Sequence, residues 1–365
     1  MKKVLVCVGT RPNLIKITKM EECFNAYPEI DFRLLHTGQH YDFNMNEIFF
    51  EQLKIKRPDH IFELESKTQI GVVTEIMTKF EAYVQEFDPD LVMVPGDVNS
   101  TFACAFVANR LGYKVAHIES GLRSFDMSMP EEVNRILTDD ITDFYFVTEP
   151  SGIENLRKEG KDEHQIHHVG NTMIDSLVKF KPVFEESSIL EQLNVAPKDY
   201  MVFTFHRPAN VDNEGQLKKL VEIIIGIAKD NKVVFPIHPR TKNNLIKFGF
   251  EEVLNHANII TSEPVGYIDF MKLIQNSSAV ITDSGGIQEE TTFMQVPCLT
   301  IRPNTERPVT TEIGTNTLLD LDQDLVLNHV ARIQNGTYKK GEIPQLWDGN
   351  ATDRIVKIVA DYLNN

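Results

Sequence analysis

Residues 90–119 read DLVMVPGDVNSTFACAFVANRLGYKVAHIE. Two short apolar runs, 90–95 and 114–119, flank the amphipathic segment 101–111. Parallel strands are covered on both faces and so read as unbroken Val, Ile and Leu runs, and joining two of them takes a crossover of a dozen or more residues. The stretch is therefore a βαβ unit. The same alternation runs outward in both directions. Toward the N-terminus, 3–9 (KVLVCVG) reads as a buried strand and 14–23 as a helix. Toward the C-terminus, 130–141 reads as a helix and 144–148 (FYFVT) as a strand. The pattern pauses at 181–188 (KPVFEESS), which is polar and contains proline, and this is taken as the crossing between domains. It restarts with 201–205 (MVFTF), a helix over 215–230, and strands at 232–237, 259–261, 279–282 and 298–301. Two consecutive βα arrays predict an α/β protein of two doubly wound Rossmann-like domains facing each other across a cleft, 1–180 and 181–350. A last helix within 351–365 places Ile355, Ile358, Val359 and Leu363 on one face.

The bulk numbers fit this organisation. A chain of 365 residues suits two domains, and 42% hydrophobic with 25% charged residues is an ordinary water-soluble mixture. The formal charge of −16 argues against a nucleic-acid binder, which needs a basic footprint. No run of about 18 apolar residues occurs, so no membrane span is expected. The apolar start is too short for a signal peptide. Cys7, Cys23, Cys104 and Cys298 form no CxxC pair, which leaves neither a disulfide framework nor a structural zinc site. A cytoplasmic protein is expected.

In an open parallel sheet, ligands bind beyond the carboxyl ends of the strands. Gly9-Thr10-Arg11-Pro12 follows the first strand, with Lys16 one turn into the helix. Thr10 suits a helix cap, and Arg11 and Lys16 read either as solvated cations or as cations aimed at a diphosphate. Asp97 and Glu119 end neighbouring strands, each a loop carboxylate alone but together, with His117 near, an acid/base constellation. Glu131 and Arg135 stand at i,i+4 on the helix that follows, the spacing of a surface ion pair. In the second array, Asp283-Ser284-Gly285-Gly286 turns from strand to helix, as a tight turn or as an anion cradle at a positive helix end. Glu290 lies one turn further on. His206-Arg207 and His238 end two other strands.

GTRP with Lys16, PGD, HIESGLRS, MPEEVNRILTD, HR, DSGGIQEE and TERP, in this order, resemble the non-hydrolysing UDP-N-acetylglucosamine 2-epimerases over essentially the whole chain. The resemblance implies a GT-B-type fold whose last helix packs back on the first domain. It implies interconversion of UDP-GlcNAc and UDP-ManNAc through 2-acetamidoglucal, with no metal or nicotinamide cofactor, and a homodimer. By position, Arg11, Lys16, His206 and Arg307 match contacts to the diphosphate or its surroundings. Ser284, Gly285 and Gly286 match the phosphate cradle, Glu290 a ribose ligand and Phe270 an aromatic beside the uracil. Asp97, Glu119 and Glu131 match the catalytic carboxylates, with Arg135 beside them and His206 near the departing diphosphate. Gln39 and Arg207 fall in segments resembling the site where some bacterial members bind a second UDP-GlcNAc as activator. The chain departs from the family at Asn13 and Ala209, where an acid is usual, and in the loop 124–129 (SFDMSM), which is expected over the sugar. An epimerase of UDP-2,3-diacetamido-glucuronic acid is the alternative substrate reading. A GT-B glycosyltransferase, a nucleotide-sugar sensor and a hydrolysing epimerase are the remaining alternatives.

Overall fold

The structure is a computed structural model that describes residues 1–39, 50 and 55–365. It divides into two compact units. One comprises Met1–Lys179 with Gln345–Asn365, the other Phe180–Pro344.

The first unit carries strands β1 (Lys2–Val8), β2 (Ile30–His36), β3 (His60–Ile61), β4 (Leu91–Pro95), β5 (Lys114–Ile118), β6 (Phe144–Val147) and β7 (Ile166–His168). Among the described residues they form one parallel sheet in the order β3-β2-β1-β4-β5-β6-β7. The order reverses direction between β1 and β4, where adjacent crossovers leave to opposite faces and open a crevice at the strand ends. Leu5, Val92 and Val94 pack on Phe80 and Val84 of the helix Gln69–Phe87 and form the core of one face.

The second unit repeats the scheme with β8 (Tyr200–Thr204), β9 (Lys232–Pro236), β10 (Ile259–Ser262), β11 (Ala279–Thr282), β12 (Cys298–Ile301) and β13 (Asn316–Leu319). Its parallel order is β10-β9-β8-β11-β12-β13, which reverses between β8 and β11. Phe203, Phe235, Ile281 and Leu299 pack against Ile223, Ile224 and Ile227 of the helix Glu214–Ala228.

Three features differ from the sequence reading. The chain crosses between the units inside the helix Thr172–Glu185, with Pro182 in its interior, and not in a loop at 181–188. Burial of Phe180 and Phe184 on either side outweighs the backbone hydrogen bond that the proline forfeits. The helix expected over 14–23 is two, Arg11–Lys16 and Met20–Phe24. The break falls at Ile17-Thr18, and the Thr18 hydroxyl pairs with Ser176. The segment that returns to the first unit begins at Gln345, not at 351. Trp347 is buried there and donates its indole N–H to the Thr148 carbonyl at 3.1 Å. Asp175 then accepts from the backbone N–H groups of Ala351 and Thr352, which caps the helix Ala351–Asn364. Ile355, Val356, Val359 and Leu363 of that helix are buried. No helix among the described residues is long and apolar enough to cross a membrane.

Candidate active site

The residues singled out in the first unit gather at the switch between β1 and β4. Asn13 is buried, accepts from the Thr10 hydroxyl and the Gly9 N–H, and donates to the Pro95 carbonyl at 3.1 Å. A carboxylate cannot donate, so the amide in place of the acid usual in the resembled family gives the turn after β1 a tie to the turn after β4. Thr10 is spent on this contact and makes no side-chain cap. Lys16 is buried and its ammonium pairs with Glu119. Beside this pair runs the backbone of Gly96. A Cβ there would stand 2.9 Å from Lys16 Nζ and 3.6 Å from Glu119 Oε2, and φ is +71°. Only glycine serves at such a close approach with positive φ. The structure thus brings the turn that carries Asp97 against the Lys16–Glu119 pair. Glu119 has φ of 70°, a left-handed conformation costly for a side-chain-bearing residue and frequent at functional sites.

Asp97 is partly exposed and accepts from Arg135 Nη2 at 2.7 Å. The i,i+4 pairing expected between Glu131 and Arg135 is not what forms. Arg135 pairs with Glu132, both nearly fully buried, while Glu131 is exposed. The reason is rotational: i,i+3 places Glu132 on the inward face of the helix Pro130–Asp140, where Arg135 also reaches Asp97. Glu132 further accepts from the N–H groups of Ser124 and Phe125, and so fixes the start of the loop 124–129. Glu131 lines a cavity of about 390 Å³ with Gln39, Thr68, Gln69, Asn99 and Asn134. Asn134 donates to the Asp97 carbonyl at 3.0 Å, which sets this cavity beside the Asp97 turn. Gln39 accepts from the backbone and hydroxyl of Ser100.

His117 has no access to solvent. Its Nε2 lies 2.7 Å from the Gly96 carbonyl and its Nδ1 2.6 Å from Asp139. Asp139 also accepts from Gly121 N–H at 3.0 Å and pairs with Arg123 at 2.7 Å. Burial alone would raise the Asp139 pKa, but His117 and Arg123 hold it below the usual carboxylate range. One buried pair therefore clamps both carboxylate-bearing turns. His117 positions these turns and is not an acid/base group open to substrate.

In the second unit the same role falls to Asp283 at the end of β11. It is fully buried, accepts from the backbone N–H groups of His206 and Arg207 and from Asn210, and lies 3.1 Å from His206 Nδ1. Burial raises its pKa, but the hydrogen bonds from His206, Asn210 and Arg207 win and hold it low. The half-exposed His206 imidazole is thereby oriented through Nδ1. Beyond Asp283, Gly285 precedes the helix Gly286–Met294. A Cβ on Gly286 would meet nothing within 4 Å, so the protein's own packing does not demand that glycine. Arg307 is buried between Glu289 (2.7 Å) and Glu306 (2.6 Å). Phe270 is half-buried on the helix Tyr267–Asn276. Glu290 is buried, and burial together with neighbouring Glu289 pushes its pKa up to about 8. Among the described residues no cluster of three or more His, Cys, Asp or Glu could hold a metal ion.

A raised carboxyl pKa in the folded state means that folding takes up a proton between about 4.3, the free value, and about 8. The second unit should therefore lose stability as pH rises through that window, and the Glu290→Gln variant should lose this slope. Thermal melts of both proteins between pH 5 and 8.5 check it, and parallel profiles would contradict the assignment.

The sequence reading did not single out Glu132, Asp139, Asp283, Arg302 or Glu306. Glu132 and Asp139 lay inside MPEEVNRILTD, Asp283 inside DSGGIQEE and Glu306 inside TERP, though none was given a role. For Asp139 no pattern marks a carboxylate whose partners are 18 and 22 residues upstream.

Two parallel doubly wound sheets, each with its functional residues at a switch point, belong to the GT-B type. A family model described as UDP-N-acetylglucosamine 2-epimerase matches residues 22–360. The UDP-N-acetylglucosamine 2-epimerase of Methanococcus maripaludis is 39% identical over 98% of both chains. The UDP-2,3-diacetamido-2,3-dideoxy-D-glucuronate 2-epimerase of Pseudomonas aeruginosa is 35% identical over 98% of this chain and 99% of that one. The crystal structure of the Methanocaldococcus jannaschii UDP-GlcNAc 2-epimerase, in complex with UDP-GlcNAc and UDP, aligns with a TM-score of 0.89 at 38% identity, covering 98% of this chain and 99% of that chain. The chain belongs to the UDP-N-acetylglucosamine 2-epimerase family, whose members are isomerases.

Proposed function

We propose that the protein interconverts UDP-GlcNAc and UDP-ManNAc, supplying a precursor for cell-surface polysaccharide. The observation that carries this reading is the division of labour between the two switch points. The first gathers carboxylates held beside cations, and the second offers a helix start with arginines. The C2 proton of the sugar has no adjacent carbonyl to acidify it. Departure of UDP from C1 creates an oxocarbenium-like centre, and that charge makes the C2 proton removable. Arg11, His206, Arg307 and the Ser284–Gly285–Gly286 turn stabilise the leaving diphosphate. A carboxylate among Asp97, Glu119 and Glu131 takes the C2 proton as the C1–O bond breaks, leaving 2-acetamidoglucal. Return of UDP to C1, with a proton delivered to C2 on the other face by a second group, completes the epimerisation.

Incubation with UDP-GlcNAc alone tests the activity: an epimerase yields UDP-ManNAc, whereas a glycosyltransferase without acceptor returns the donor intact or slowly hydrolysed. The diacetamido-glucuronate reading keeps one supporting observation, a relative named for that substrate at 35% identity. A product panel over modified UDP-HexNAc sugars separates the two substrates.

A homodimer fits the apolar side chains left on adjoining helices of the first unit, Phe106 at 39% and Leu137 at 41% exposure. Light scattering should give twice the 41.7 kDa chain mass, and a monomer at micromolar concentration would overturn this assignment. The free thiols Cys7, Cys23, Cys104 and Cys298 suit the reducing cytoplasm.

A further inference from the structure

Gly285, at the start of the helix Gly286–Met294, is surrounded by charge. A Cβ on it would stand 2.7 Å from Glu306 Oε1, 3.5 Å from Arg302 Nη1 and 3.6 Å from Arg307 Nη1. Glu306 Oε1 accepts from Arg307 Nη1 at 2.6 Å, and Glu306 Oε2 lies 3.1 Å from Arg302 Nη2. The Glu306 carboxylate therefore sits between two guanidinium groups at a positive helix end, which is where an anion binds.

Arg302 supplies the second, independent observation. It is only 5% exposed, and its Nη1 has no hydrogen-bond partner among the described residues although it points at the glycine turn. Leaving a buried charged donor unmade is costly, and an incoming phosphate oxygen would satisfy it. Burial and the nearby cations Arg207 and Arg307 lower its pKa, with Glu306 opposing them, so the guanidinium lies in a field that a further anion would relieve.

We infer that Arg302 is a diphosphate-binding residue oriented by Glu306, whose carboxylate lies against the Gly285 turn where a phosphate group would bind. This rests on the nucleotide-sugar reading above and adds to it a specific arginine and an internal anion that must yield. The planar fork of arginine lets it contact Glu306 and a phosphate oxygen through different nitrogens, which a lysine ammonium could not reproduce.

Calorimetric titration of UDP, uridine and inorganic pyrophosphate into wild type, Arg302→Gln, Arg302→Lys and Glu306→Gln tests the inference. Arg302→Gln should lose about ten- to hundredfold in UDP and pyrophosphate affinity, the range of a charge-assisted hydrogen bond, and little in uridine affinity. Arg302→Lys should recover part of the loss. Glu306→Gln, which weakens the internal competitor, should bind pyrophosphate as tightly as wild type or more tightly. Parallel losses for uridine and UDP would mark Arg302 as a purely structural residue and overturn the inference, as would unchanged UDP affinity in Arg302→Gln. A wild-type protein that binds pyrophosphate but not UDP would instead overturn the nucleotide reading and leave Arg302 to be judged on pyrophosphate alone.

Discussion

Asp97→Asn and Glu131→Gln should each lower kcat by at least about a hundredfold, the low end of general acid–base contributions, while KM for the UDP-sugar changes far less. These two substitutions are the clean ones. Asp97 is partly exposed, and the asparagine oxygen can still accept from Arg135. Glu131 is exposed on its helix and is not the partner of Arg135. Neither change strands a buried charge, so melting temperatures should stay near that of wild type. Glu119→Gln should lose as much activity, but it also removes the partner of buried Lys16, so its kinetics must be read beside its stability. Wild-type turnover in Asp97→Asn, measured with UDP-GlcNAc as substrate, would remove that residue from the chemistry.

The second large effect concerns Asp139→Ala. This carboxylate is fully buried and serves His117, Arg123 and the Gly121 N–H together. Deleting it leaves a buried guanidinium with Glu159 as its remaining carboxylate and a histidine with half its hydrogen bonds. Breaking a buried pair costs about 3–5 kcal/mol. For a unit of this size that corresponds to a fall in Tm of roughly 6–20 °C, read by calorimetry. Because His117 holds Gly96 and Asp139 holds Gly121, activity assayed well below the new Tm should also fall. A Tm within about 2 °C of wild type would show that the clamp is dispensable.

The sheets were legible because fully buried parallel strands leave continuous apolar runs, as in LVMVP and KVVFP. Edge and short strands such as β3, β7 and β13 were not, since only partial burial selects their residues. Strand-end positions put Asp97, His206 and the Ser284–Gly286 turn at the switch points, and Glu119 one strand away, by topology alone. What the sequence could not show was who holds whom. The i,i+4 spacing suggested Glu131 with Arg135, yet helix rotation against the sheet selected Glu132. Lys16, matched to a diphosphate contact, is paired with Glu119. Glu306 lies inside TERP and Arg302 three residues before it, a spacing that carries no signature, and their convergence on Gly285 depends on how the chain after β12 turns back.

On the proposed route the C1–O bond breaks and the C2 proton exchanges with solvent on the way to product. The wild-type protein incubated with UDP-GlcNAc in D₂O, with products resolved by mass spectrometry and proton NMR, tests it most directly. One deuterium is expected at C2 of UDP-ManNAc and of recovered UDP-GlcNAc, with traces of 2-acetamidoglucal and UDP. UDP-ManNAc that retains its original C2 hydrogen would contradict it.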